Sequence, residues 1–201
     1  MKKYLVLLLT IIMMGVLSVT ASAAAIGVNV PPGYVLEVDS QFAQGMSEIC
    51  PTFIAPLNKN FALAAMYDTY FKNVTVSGRY EIVKNLAADL YYRLDGSKLW
   101  EADLRGKYFF NQSLAVAGKY FYDSLFSSSS IYGQVEYFFN EHWMANAGAI
   151  YASSPMFSST SIVLGAGFGA GNFECGFNYA APVNNFSQPV IEVVADFLIK
   201  K

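Results

Sequence analysis

Leu99-Trp100-Glu101-Ala102-Asp103-Leu104-Arg105-Gly106-Lys107-Tyr108-Phe109-Phe110 decides the fold. Trp100, Ala102, Leu104, Gly106, Tyr108 and Phe110 alternate with Glu101, Asp103, Arg105 and Lys107, so successive side chains split into an apolar row and a charged row. This is the period of a β-strand, whose neighbouring side chains point to opposite faces; a helix would mix the two sets.

The same split recurs outward from this stretch. Upstream, Val74, Val76, Gly78, Tyr80 and Ile82 face away from Thr75, Ser77, Arg79 and Glu81, and Leu86, Ala88, Leu90, Tyr92 and Leu94 face away from Asp89, Tyr91 and Arg93. Downstream, the apolar rows are Leu114 to Tyr122, Ile131 to Phe139 and Trp143 to Tyr151. Further strands are expected at Tyr34 to Phe42, Phe61 to Phe71, Ile162 to Ala170, Phe173 to Ala181 and Ile191 to Ile199. Glu48 to Leu57 is a weaker candidate, because Pro51 and Pro56 remove ladder donors.

In a meander, alternate turns lie at opposite ends of the sheet, so connection lengths compare the two ends. Asn58-Lys59-Asn60, Val83-Lys84-Asn85, Asn111-Gln112-Ser113, Asn140-Glu141-His142 and Gly171-Asn172 are uniformly tight. The other end holds Lys72-Asn73 and Asp95 to Lys98, then the longer stretches Asp123 to Ser130, Ser153 to Thr160 and Pro182 to Gln188. Short turns at one end and longer loops at the other are the pattern of an outer-membrane barrel. The fold class expected is all-β, an antiparallel up-and-down transmembrane β-barrel of about twelve strands, or ten if the proline-bearing segment and its neighbour do not span.

Composition agrees. Charged residues are 14% of the chain and aromatics 16%, with 14 Tyr and 16 Phe, against roughly 25% charged in an average soluble domain. The first residues read as a secretory signal peptide over 1–23: Lys2 and Lys3, an apolar run from Tyr4 to Leu17, then Ala21-Ser22-Ala23. An N-terminal periplasmic segment is expected over 24–33 and the barrel domain over 34–201. Lys2 and Lys3 leave with the signal, so 11 basic residues face 15 acidic ones in the mature chain, a net −4. No basic patch offers itself to nucleic acid.

The signal peptide, the period-two strands, the aromatic-flanked tight turns and the Tyr-Phe-Phe-Asn hairpins at Tyr108 to Asn111 and Tyr137 to Asn140 resemble the small bacterial outer-membrane β-barrel proteins, porin-like in the broad sense. The resemblance implies the outer membrane as location after cleavage, with outer-membrane lipid and the outer-membrane assembly machinery as partners and small polar solutes as cargo. Such proteins usually end in an aromatic residue; this sequence ends Asp196-Phe197-Leu198-Ile199-Lys200-Lys201, which leaves Phe197 displaced from that position. The alternative is a soluble secreted or periplasmic lipocalin-like barrel with the apolar rows lining a ligand cavity. Against it, the charged rows carry Ala62, Ala64, Ala87, Ala115, Ala117, Gly148, Gly165 and Gly167, the small residues that a crowded lumen favours.

No catalytic, metal or cofactor site is expected. The sole histidine, His142, falls in a tight turn, and there is neither a Gly-x-Ser-x-Gly elbow nor a His and Cys cluster. Gly165 to Gly171 superficially suggests a phosphate loop, but no Lys-Ser or Lys-Thr follows, and glycine there serves crowding or curvature. The functional candidates are the lumen-facing charges Arg79, Asp89, Arg93, Glu101, Asp103, Arg105, Lys107 and Lys119. They line a narrow passive pore or satisfy one another in a structural barrel. If Ile82 pairs with Leu86, Arg79 stands opposite Asp89; if Leu94 pairs with Trp100, Asp89 also faces Arg105 and Arg93 faces Glu101. Cys50 and Cys175, on strands two and eleven and on opposite faces, are expected to stay unbonded.

Overall fold

The computed structural model describes residues 27–43, 46–96, 99–124, 127–155, 158–184, 186 and 188–199. The expected signal peptide lies outside them.

Among the described residues there are twelve strands: β1 (Tyr34–Ala43), β2 (Met46–Asn58), β3 (Phe61–Asp68), β4 (Asn73–Val83), β5 (Leu86–Arg93), β6 (Trp100–Phe109), β7 (Leu114–Asp123), β8 (Ser128–Phe138), β9 (Trp143–Ser153), β10 (Ser158–Ala170), β11 (Phe173–Pro182) and β12 (Val190–Ile199). Each pairs with its neighbours in the chain, and β12 closes on β1 in antiparallel register from Tyr34↔Ile199 to Phe42↔Ile191. Closure leaves no unpaired edge, which is what lets a sheet sit in lipid. The proline-bearing β2 is a full member: Val38 stands opposite Pro51, and the ladder to β3 shifts between Pro56 and Asn58. A bulge is where a sheet tolerates a missing donor.

The alternating rows become an outer and an inner wall. Outside, Leu90, Leu104, Val116, Val135 and Leu164 are exposed along the strand middles. Aromatics crowd both ends of the outer wall. Tyr108 packs edge-on against Phe110 and Tyr137 against Phe139 near the tight turns, where Trp143 also leans on Phe168, while Trp100 meets Tyr122 near the other end. Two aromatic belts flanking an apolar band match the two interfaces of a bilayer. Inside, most covered residues are small or polar, among them Ala62, Ala87, Ala115, Ala117, Asp89, Asp103, Gln134 and Glu136, with Met144 and Val163 as apolar exceptions. A lipocalin-like carrier would be built the other way round, and the alternative is set aside on that inversion.

Three of the five tight turns share a device that the sequence already carries. Asn140 Oδ1 accepts the backbone N–H groups of His142 and Trp143, Asn111 Oδ1 accepts that of Ser113, and Asn58 Oδ1 that of Asn60. An Asn at the first loop position thus closes each of these hairpins with its own side chain. The two ends differ less than expected. The Ser-rich stretches, read as loops over Asp123 to Ser130 and Ser153 to Thr160, are half strand. Asp123 pairs with Ser128 and Ser153 with Ser158, so the connections shrink to 124–127 and 154–157. Only 183–189 remains long.

Candidate functional site

The inner wall of β4 to β7 carries the candidate site. On β4 and β5 the register is as expected: Arg79 stands opposite Asp89, after a bulge between Glu81 and Val83 that turns the expected three-residue loop into the shorter turn Lys84-Asn85. Arg79 grips Asp89 with two parallel bonds, Nε to Oδ1 at 2.8 Å and Nη2 to Oδ2 at 2.9 Å. Fork-to-fork geometry of this kind is the strongest way to hold a carboxylate.

Between β5 and β6 the register differs from expectation by two residues. Tyr92, not Leu94, pairs with Trp100, because the ladder carries on to a bond from Arg93 N–H to the Leu99 carbonyl at 3.1 Å. Asp89 therefore faces Asp103, and Tyr91 faces Glu101. The expected ion pairs survive along the diagonal, since a guanidinium reaches one pair along the ladder: Arg105 Nη2 lies 2.7 Å from Asp89 Oδ2, and Arg93 Nη2 lies 3.8 Å from Glu101 Oε1.

Two carboxylates facing each other need shared cations, and they have them. Arg105 binds Asp103 through Nε at 2.9 Å and through a short contact from Nη2, and Lys119 Nζ stands 3.2 Å from Asp103 Oδ2. The Tyr91 hydroxyl accepts from Arg105 Nη2 at 3.1 Å and lies 3.2 Å from Asp89 Oδ2 and 3.1 Å from Asp103 Oδ2; with one proton it donates to one of them at a time. Lys107 Nζ pairs with Glu136 of β8 at 2.9 Å, and Gln134 Nε2 donates to the other oxygen of Glu136 at 2.6 Å. Farther round, Asn146 donates to Asn178, which donates to Glu192 at 2.8 Å.

Of the candidate charges read from the alternation, Arg79, Asp89, Asp103, Arg105 and Lys119 thus share one network, Lys107 pairs separately with Glu136, and Arg93 and Glu101 pair nearer the loops. Tyr91, Gln134 and Asn178 were readable as inward by alternation, but nothing in a strand pattern says which uncharged residue bridges two charges.

A second feature appears only when the strands are closed. Among the described strands, all Lys and Arg residues stand on β4 to β7. The facing wall of β11, β12, β1, β2 and β3 holds Glu174, Glu192, Asp196, Glu37, Asp39, Glu48 and Asp68 with no Lys or Arg on those strands. Glu174, Asp196 and Glu37 stand side by side in register. A cavity of about 90 Å³ separates Glu37 and Thr52 on this wall from Arg79, Asp89 and Tyr91 on the other.

Comparison with known proteins separates fold from sequence. No family model and no curated protein matches the chain. Among solved structures, the NanC porin superposes with a TM-score of 0.62 at 11% identity, covering 82% of this chain and 100% of that one. The KdgM porin gives 0.61 at 11% identity, with 82% and 99% coverage. The chain folds as a small porin-like β-barrel. The Acinetobacter baumannii outer-membrane protein Omp33 agrees, at a TM-score of 0.56 and 8% identity over 86% of this chain and 100% of that one. These neighbours are matched almost end to end, so what is shared is the whole porin-like barrel and not one sheet of it.

His142 sits in the turn before β9, its Nδ1 3.2 Å from the Gly169 carbonyl, remote from the charged network. Gly165 lies in β10 beneath the Asn146–Asn178 bond. A Cβ there would meet both side chains and stand 2.8 Å from the Phe177 carbonyl, so crowding accounts for this glycine. Cys50 and Cys175 are both free, on β2 and β11.

Proposed function

We propose that this chain is an outer-membrane pore for small polar solutes, reached by export and signal-peptide cleavage after Ala23 and inserted by the outer-membrane assembly machinery. The observation that carries the reading is the pairing of an apolar, aromatic-belted outer wall with a lumen that holds every strand-borne charge. Such an arrangement gives lipid an apolar surface and gives solute and water a charged path. The activity we read from it is passage rather than turnover.

Selectivity follows from the two walls. The cations on β4 to β7 are already matched by Asp89, Asp103, Glu101 and Glu136, whereas the opposite wall has a surplus of carboxylates. The lumen's field therefore favours cations. One neighbour, the KdgM porin, is described in complex with disordered oligogalacturonate, an anion; this lumen, with its surplus of acid, suits a different cargo.

The test is single-channel recording in planar bilayers with a potassium chloride gradient. The reading expects discrete currents with a reversal potential on the cation-selective side. A barrel that inserts and never conducts, in the full-length form or with residues 24–32 removed, would overturn it.

A further inference from the structure

The segment before β1 does not stop at the rim. Val30 to Pro32 lie at the rim beside Pro56 to Lys59 of the β2–β3 turn, and Gly27 to Asn29 reach into the lumen along β4 to β8, with Val28 buried against Ala117 and packed by Tyr132. Its backbone takes up polar groups that the charge network leaves unused. Arg79 spends Nε and Nη2 on Asp89, and its remaining Nη1 donates to the Asn29 carbonyl at 3.5 Å. Arg105 spends Nε and Nη2 on Asp103, Asp89 and Tyr91, and its remaining Nη1 donates to the Gly27 carbonyl at 3.3 Å. Glu81, nearer the rim, accepts from Val30 N–H at 3.2 Å.

We propose that Gly27–Pro32 is a tethered plug, which occupies the solute path by placing two peptide carbonyls on the free guanidinium donors of Arg79 and Arg105; this rests on the pore reading above.

Three features make it a movable plug and not a further piece of wall. Its hydrogen bonds are at the long end of the range, and Gly27 and Asn29 stay exposed to the lumen, so Val28 is the only deep anchor of the inserted stretch. Pro31 and Pro32 carry no N–H, so the stretch leaves few donors unpaired when it changes place. The tether point is fixed: a Cβ on Gly33 would stand 2.9 Å from the Ile199 carbonyl, so only glycine brings the backbone this close to the end of β12. With the plug withdrawn, the same two Nη1 groups face the lumen and serve the acceptor oxygens of a passing solute.

The experiment uses the full chain with Cys50 and Cys175 replaced by serine. First, Val28→Cys is labelled with a hydrophilic maleimide in the folded, detergent-solubilised barrel and compared with Lys84→Cys in the exposed β4–β5 turn. Labelling at least about tenfold slower at position 28 is expected, because the thiol reacts only when the segment opens. Second, single-channel currents are compared for the full chain, for removal of residues 24–32, and for Val28→Asp, which puts a charge where Ala117 and Tyr132 pack. Both changes are expected to raise the mean conductance several-fold. Equal labelling at the two positions, or equal non-zero currents from all three proteins, overturns the plug and leaves the pore reading standing. Silence from all three overturns the pore reading and the plug with it.

Discussion

Replacing Asp89 with alanine leaves two arginines around a space that no longer holds their common anion. Asp89 receives two bonds from Arg79 and one close contact from Arg105, and its side chain is 3% exposed. Breaking a dry, buried ion pair costs about 3 to 5 kcal/mol, because the surviving charge is stranded. Here the loss belongs at the lower end: Arg105 keeps Asp103, and the Arg79 side chain is 22% exposed, so water recovers part of its solvation. We expect Asp89→Ala to lose ~3 kcal/mol in equilibrium urea unfolding from lipid vesicles, and Asp95→Ala, exposed in the β5–β6 loop, to lose no more than ~1 kcal/mol, as an exposed charge contact does. In an Asp89→Ala background, Arg79→Ala should cost at least about 1 kcal/mol less than it does alone. Equal losses for Asp89→Ala and Asp95→Ala, or strict additivity of Arg79 and Asp89, would refute the network as the source of this stability.

Other expectations follow from the two walls. Leu90→Lys, at an outer mid-strand position, should cost about 2 to 4 kcal/mol and block insertion, whereas Ser77→Lys on the inner wall is tolerated; heat-modifiable mobility on gels reads both. Gly165→Ala should cost about 1 to 3 kcal/mol in the same urea assay, because its Cβ displaces the Asn146–Asn178 bond. Lys107→Met should destabilise by roughly 3 kcal/mol by stranding Glu136, and Glu136→Gln in the same chain should recover much of it. Mass mapping without reductant should find Cys50 and Cys175 as separate, alkylatable thiols; a bridged peptide would contradict the strand order.

The faces of the barrel were legible in the sequence because alternation is absolute: a residue such as Leu104 cannot share a wall with Asp103. Register was legible only in part. A slip of one residue would have put Asp89 outside, and the pattern forbids it; a slip of two keeps every side chain on its own wall, so nothing in the pattern distinguishes Leu94↔Trp100 from the observed Tyr92↔Trp100. The Ser-rich ends misled for a related reason. Serine is common in loops, but in β8 and β10 it pairs across the ladder as any residue can, and only the partner strand reveals it. The segregation of cations from surplus carboxylates needs closure, since Glu37 and Asp196 are far apart in the chain and adjacent in the barrel. The position of Val28 was not legible either: Ile26, Val28 and Val30 alternate, but over too few residues before Pro31-Pro32 to name the wall that Val28 lies against.

The central claim is that the apolar wall faces lipid, and the chain carries its own probes. Its two tryptophans, Trp100 and Trp143, stand exposed on the outer wall at opposite ends of the barrel. In vesicles whose lipids carry bromine on the acyl chains, their fluorescence should be strongly quenched, more by bromine near the carbonyl end of the chain than by bromine near its tip, as belts at the two interfaces require. Fluorescence that brominated lipid leaves unchanged, from protein that is folded and bound to the vesicles, would mean that this wall does not face lipid.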